Sequence, residues 1–173
     1  IADVLGVEIV IAQGTHQAFH PGRTAQLRTQ DGQTIGYAGE LHPKLLQTEN
    51  LPERTCAFEV NFTALFASRS GVPQASPIYG YPAATQDVAL VVDENIPASE
   101  VAQALRDGAG ELLEDLRVFD DYRGQGVESG KKSLAFAMRF RAPDRTLTAE
   151  EASASREAAV AVAAERFGAV ARV

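Results

Sequence analysis

Asp120, Tyr122 and Ser133 set an acid, a phenol ring and a hydroxyl close together in the chain. A carboxylate and a hydroxyl hydrogen-bond the edges of unpaired bases, and a tyrosine ring stacks on their faces. Lys131, Lys132, Arg139 and Arg141 stand around them, cations able to meet phosphates. The chemistry this set suits is recognition, not bond making. His16, His20 and His42 all lie in the first half, without metal-ligand spacing or a cysteine partner. Glu40 and Glu59 become a carboxylate pair only if folding happens to join them. Gly124 and Gly126 follow a strand-like run but precede no helix, so they are no phosphate loop. No catalytic residue and no metal ligand are expected.

The elements that must position these residues are legible in the pattern. In the first half, Val7–Ala12 reads as a strand, with Val7, Ile9 and Ile11 alternating against Glu8 and Val10. Ala25–Thr29 and Thr34–Gly39 flank Gln30-Asp31-Gly32-Gln33, a hairpin signal in which both central residues can take positive φ. Pro43 suits the first turn of a short helix to about Leu46. Thr55–Phe62 reads as a strand and Ala64–Ser68 as a helical turn. Ser68–Pro82, rich in proline, glycine and serine, reads as a linker.

In the second half Asp87–Val92 is a strand, with Val88, Leu90 and Val92 on one face. Ser99–Leu113 is a helix, with Val101, Leu105, Ala109 and Leu112 at helical spacing. Leu116–Tyr122 and Lys132–Arg141 are strands joined by the glycine-bearing loop Arg123–Gly130. Thr148-Ala149-Glu150-Glu151 fits a capping box for a helix that runs to Phe167 and stops at Gly168. Ala169–Val173 is a last strand. The order β-α-β-β-α-β is that of the ferredoxin-like split βαβ, an α+β sandwich with two helices on one face of a four-stranded sheet.

Phe119 and Phe136 are too apolar to share the water-facing side, which places both under the helices. Side chains alternate along a strand. The open face then takes Asp120 and Tyr122 from one strand. Ser133, Ala135, Ala137 and Arg139 come from its partner, and Asp87, Ala89 and Val91 from the first strand. Small residues form a floor, bordered by a ring, an acid, a hydroxyl and arginines. Such a face suits a single-stranded nucleic acid; an alanine-rich face also suits packing against protein, and fold alone does not decide. Arg145 is either a surface arginine or a backbone-phosphate contact.

The whole chain has 173 residues and a formal charge of −7. Hydrophobic residues are 45% and charged residues 23%, which excludes a disordered tail and a generally polycationic nucleic-acid binder. The charge is uneven. Residues 115–145 hold seven basic and five acidic residues, a surplus of two, and the rest of the chain carries −9. No apolar run approaches a membrane span. The single cysteine, Cys56, makes no internal disulfide, and a reducing cytoplasm is the default compartment. The chain opens at Ile1 without an initiator Met or a signal-peptide pattern, and reads as a segment of a longer protein.

Several segments stand in the order and spacing of a known family. They are Tyr81-Pro82, Gln86-Asp87-Val88-Ala89-Leu90-Val91-Val92, Phe119-Asp120-Asp121-Tyr122-Arg123-Gly124, Gly130-Lys131-Lys132-Ser133-Leu134-Ala135 and Arg145-Thr146-Leu147-Thr148. Together they resemble the ferredoxin-fold anticodon-binding domain that ends the β subunit of bacterial phenylalanyl-tRNA synthetases. His20-Pro21-Gly22-Arg23-Thr24-Ala25, Ile35-Gly36-Tyr37-Ala38-Gly39-Glu40-Leu41-His42-Pro43 and Phe58-Glu59-Val60 resemble the end of that subunit's catalytic-like core.

The resemblance implies a division into residues 1–78, the tail of an inactive class II synthetase-like core with an antiparallel sheet, and 79–173, the anticodon-binding domain. It implies an α2β2 phenylalanine–tRNA ligase in which the α subunit is catalytic. ATP and Mg²⁺ serve that holoenzyme and no cofactor belongs to this segment. The partner is tRNA(Phe), and neither DNA nor a membrane is expected. Asp120, Tyr122 and Ser133 are implied as anticodon contacts. The sequence departs from the family at Gln86, where an arginine is usual, and at Asp121, where an apolar residue is usual. The rival reading is a subunit-assembly module whose sheet face packs on protein.

Overall fold

A computed structural model describes residues 1–69 and 80–172. The chain divides into two compact units, Ile1–Ser76 and Pro77–Val173. The linker expected over Ser68–Pro82 and the boundary at 78/79 fall mostly or wholly on 70–79, outside the described residues.

The first unit is an antiparallel meander. Strands β1 (Val10–Gln13), β2 (Phe19–Arg28), β3 (Thr34–Leu41) and β4 (Cys56–Val60) pair in that order. The hairpin between β2 and β3 forms where Asp31-Gly32 marks it, but only Gly32 takes positive φ, +88°. Asp31 keeps an ordinary backbone and accepts a hydrogen bond from the Thr29 hydroxyl. Helix α1 (Ala2–Leu5) occupies the segment before β1, and the strand expected from Val7 begins only at Val10. Val7 turns into a small core with Ile35 and Leu65, while Val10 and Ile11 stay exposed. Pro43 opens α2 (Pro43–Thr48), and Asn61 caps α3 (Phe62–Ala67).

The second unit has strands β5 (Ala84–Asp93), β6 (Leu113–Tyr122), β7 (Lys131–Phe140) and β8 (Val170–Ala171), with α4 (Ala98–Ala109) and α5 (Ala149–Phe167) as crossovers. The sheet order β6-β7-β5-β8 is all antiparallel, the ferredoxin-like arrangement that the alternation of elements predicts. One face carries both helices. There Leu90, Val92, Leu134, Phe136, Met138 and Phe140 meet Val101, Leu105, Ala159 and Ala163 in a continuous buried core. Helix α4 is shorter than its apolar spacing suggests: Gly110 takes φ +72°, and Leu112 lies beyond the helix, before β6. Thr148 and Glu151 form the full capping box of α5, and Gly168 ends it in the left-handed conformation.

Strand β6 departs from simple alternation. Leu113 pairs with Phe140 but Asp115 with Arg139, and Val118 pairs with Phe136 but Asp120 with Ala135. One extra residue is therefore inserted at Glu114 and another at Phe119, two bulges. Phe119, expected under the helices, is 57% exposed. Val118 takes the place across from Phe136 instead.

Candidate nucleic-acid interface

The second bulge decides what the open face carries. Between the two bulges the odd residues Asp115 and Arg117 share a face with Arg139 and Ala137 of β7; after Phe119 the even residues do. Asp120 and Tyr122 consequently stand opposite Ala135 and Ser133, on the side away from the helices. Asp87, Ala89 and Val91 of β5 pair with Ala137, Ala135 and Ser133 and complete the floor. Asp120, Tyr122 and Ser133 are thus brought together on one face.

Tyr122 is 38% exposed and held in place. Its hydroxyl donates to the Gln125 carbonyl at 3.2 Å. A Cβ on Gly124 would lie 2.6 Å from the tyrosine hydroxyl, so glycine there lets the ring fold back against the loop. The Arg172 guanidinium lies over the ring, 5.6 Å from its centroid. Asp120 is exposed. Ser133 is only 5% exposed, set between the larger Val91 and Tyr122 in its cross-strand row.

The four cations expected to meet phosphates have different fates. Lys132 does not reach the open face: it sits on the helix side opposite Val92 and is 5% exposed. Burial holds its ammonium below the usual lysine value, partly countered by Asp121. Arg141, with its side chain 12% exposed, donates to the Tyr81 carbonyl and to Glu114 at 2.9 Å. Arg139 lies on the open face and pairs with Glu114 at 2.5 Å. Burial raises the Glu114 carboxyl, but the hydrogen bonds from Arg141 and Arg139 outweigh it and hold the group below its ordinary range. Lys131 is half-buried, with its side chain 41% exposed, and pairs with Glu128 at 3.2 Å. Exposed pairs of this kind are worth little and exchange partners readily, so Lys131 and Arg139 remain accessible cations and Lys132 and Arg141 do not.

Elsewhere, polar groups serve the fold. Gln86, on the helix side of β5, donates to Ser153 of α5 at 3.1 Å; it borders no open-face phosphate path. Asp121 faces the helix side and pairs with Arg123 at 3.0 Å. Arg145 binds Glu151 at 2.6 Å, bracing the capping box. In the first unit Glu40 lies between Arg23 and Arg54, while Glu59 lies 3.5 Å from His16. The two carboxylates do not form a pair. Each histidine accepts a backbone N–H on Nδ1: His16 from Ala18, His20 from Gly22, His42 from Lys44. Among the described residues no group of three or more His, Cys, Asp and Glu is arranged to hold a metal ion, and no helix is long and apolar enough to cross a membrane.

Two features escape sequence reasoning. Glu114, which ties up two arginines, lies one residue outside the stretch whose charge balance looks favourable. Arg172 enters the open face only through the register of β8, where Val170 pairs with Val91 and the Arg172 N–H donates to the Ala89 carbonyl at 2.8 Å. Alternation between Val170 and Arg172 is the one signal in the sequence, and it is useful only once that pairing is known.

The second unit is therefore a ferredoxin-like domain, one sheet face backed by two helices and the other lined by small side chains with Asp120, Tyr122, Ser133 and Arg139. The chain belongs to the family described as the ferredoxin-fold anticodon binding domain, whose model matches residues 80–172. The model of the phenylalanyl tRNA synthetase beta chain CLM domain matches residues 1–62. Among similar curated proteins are the phenylalanine–tRNA ligase beta subunits of Streptomyces avermitilis, 54% identical, and of Thermobifida fusca, 51% identical; each comparison covers 99% of this chain and 21% of the relative. That of Leifsonia xyli subsp. xyli is 51% identical over 99% of this chain and 20% of its own length. The chain thus spans about a fifth of the length of the curated relatives it matches.

Proposed function

We propose that this chain is the part of a phenylalanine–tRNA ligase β subunit that grips the anticodon stem-loop of tRNA(Phe). The observation that carries the reading is the convergence of Asp120, Tyr122 and Ser133 on one open sheet face within a domain of the anticodon-binding family. Tyr122 stacks an anticodon base, exposed Asp120 reads a base edge, and Ser133, nearly buried between Val91 and Tyr122, offers its hydroxyl from the floor of the face. Ala89, Ala135 and Ala137 on the same face leave room for the RNA to approach. Lys131 and Arg139 meet phosphates after letting go of their present acids.

The chain itself performs no bond-making step. It anchors a tRNA whose acceptor end reaches an active site on the α subunit of an α2β2 ligase in the cytoplasm. ATP and Mg²⁺ belong to that assembly.

The test is binding of the full 173-residue chain to a tRNA(Phe) anticodon stem-loop at fixed salt. Loss of one stacking platform is worth about 1–3 kcal/mol, so Tyr122→Ala should weaken binding roughly 10- to 100-fold. Equal affinity of the variant and the parent refutes the stacking role.

A further inference from the structure

The face that is proposed to receive RNA is already occupied. Arg172 starts on the far edge of the sheet. Its backbone is opposite Ala89, Ala89 is opposite Ala135, and Ala135 is opposite Asp120. Three strand spacings separate β8 from β6, roughly 14 Å. No arginine side chain spans that distance alone, so Arg172 and the Tyr122 ring lean toward each other over the open face, bringing the guanidinium 5.6 Å from the ring centroid. Ala89 and Ala135, the residues of the central strands in the row of Arg172, leave room for the two to meet. At the far end Gly126, with φ +87°, leaves space for it: a Cβ there would lie 3.2 Å from the Arg172 Nη2. At the near end the backbone is fixed by the 2.8 Å bond to Ala89. Arg172 forms no ion pair among the described residues, unlike Arg123, Arg139, Arg141 and Arg145.

At 5.6 Å from the centroid the guanidinium is within cation–π range of the ring, and the gap is too narrow for a base to enter between the two. A base that stacks on that face must move the guanidinium first. Base–aromatic stacking is the stronger of the two contacts where both are solvent-exposed. The displaced group stays close, because the Arg172 N–H remains bonded to the Ala89 carbonyl, and it carries a full charge on a fork shaped for phosphate.

We propose that Arg172 is a displaceable cover of Tyr122 that becomes a phosphate clamp once a base has taken the ring. This rests on the reading of the face as an anticodon-loop site. In the RNA-free chain the cover keeps an exposed aromatic from other partners. In the complex the same side chain supplies a phosphate contact that Lys132 and Arg141 are too buried to give.

The experiment uses the full 173-residue chain and a tRNA(Phe) anticodon stem-loop, with two readouts. In NMR spectra the Arg172 Nε–H signal should be displaced by the tyrosine ring current, return to an ordinary position in Tyr122→Ala, and return likewise when the parent chain is saturated with RNA. In salt titrations Arg172→Ala should bind roughly 5- to 10-fold more weakly at low salt, and its log–log slope should be shallower by about 0.7, the loss of one single-strand phosphate contact. Arg172→Lys should keep the slope.

A ring-shifted Arg172 signal that persists at RNA saturation overturns the displacement. An Arg172→Ala slope and affinity equal to the parent's overturn the clamp, as does a slope lost equally in Arg172→Lys, which would assign the effect to β8. Binding that needs Tyr122 but ignores Arg172 overturns this proposal alone. No binding by the parent chain, or binding indifferent to Tyr122, overturns the anticodon reading and this proposal with it.

Discussion

Gly108 sits in the last turn of α4, where helix propensity and packing make opposite demands. By propensity, Gly108→Ala stabilises a helix by about 0.5–1 kcal/mol. Here, however, an added Cβ would lie 2.7 Å from the Ala159 Cα, 2.8 Å from the Ala158 carbonyl oxygen and 2.9 Å from Val162 Cγ2. Two of those three atoms are backbone of α5 and cannot rotate away. The two helices meet along a seam of small residues, with Ala104, Ala159 and Ala163 all fully buried. Forcing a methyl into a packed contact costs about 1–3 kcal/mol. Packing should win, leaving a net loss of about 1–2 kcal/mol after the propensity gain. The chain has no tryptophan, so urea unfolding is followed by far-UV circular dichroism, with amide exchange in α5 reporting the second unit by itself. Gly108→Val should be worse than Gly108→Ala. A Gly108→Ala chain as stable as the parent, or more so, refutes the claim that helix–helix approach dictates glycine here.

Two other perturbations test the framework. Thr148→Ala removes half of the capping box of α5 and should cost about 1 kcal/mol in the same urea assay, with Thr148→Ser close to the parent. Acid should destabilise the chain. Asp31, Glu40, Asp107, Glu114 and Glu151 are all held below their ordinary values. The unfolded chain therefore takes up protons first as pH falls. Stability should be flat above the ordinary carboxylate values of 3.8 and 4.5 and decline as pH drops through the depressed ones. Glu114→Gln should flatten part of that decline in pH-dependent melts.

The sequence carries the second unit's architecture because its periodicities are clean and its punctuation is strong. Val88-Leu90-Val92 and Leu134-Phe136-Met138-Phe140 can only be half-buried strands, and Thr148 with Glu151 announces a helix start. Glycine also explains the one overrun. Leu112 continues the apolar spacing of α4, yet Gly110 at positive φ has already ended it. Strict alternation placed Phe119 inside and Asp120 outside at once. A bulge has no compositional mark, so Phe119 is exposed while Asp120 and Tyr122 are still on the open face.

The charged residues were harder to read because charge says nothing about direction. Lys132 belongs to the helix side by register, and Arg141 is captured by Tyr81 and Glu114. Arg172 depends on a two-residue strand whose partner lies far away in the chain. In the first unit, Val7 and Ile9 pack on the small core although β1 begins only at Val10, because the turn after α1 aims them there.

The two bulges of β6 have a consequence for solubility. This strand closes one side of its sheet, ten residues long and carrying exposed Val118 and Phe119. A regular edge of that length is a template on which another extended chain adds itself. Insertions at Glu114 and Phe119 break the hydrogen-bonding repeat twice, so no incoming strand keeps step with it from end to end. Glu114, Asp115, Arg117, Asp120 and Asp121 add charge along the same edge. The irregularity that turns Asp120 and Tyr122 outward also discourages the molecule from pairing with copies of itself.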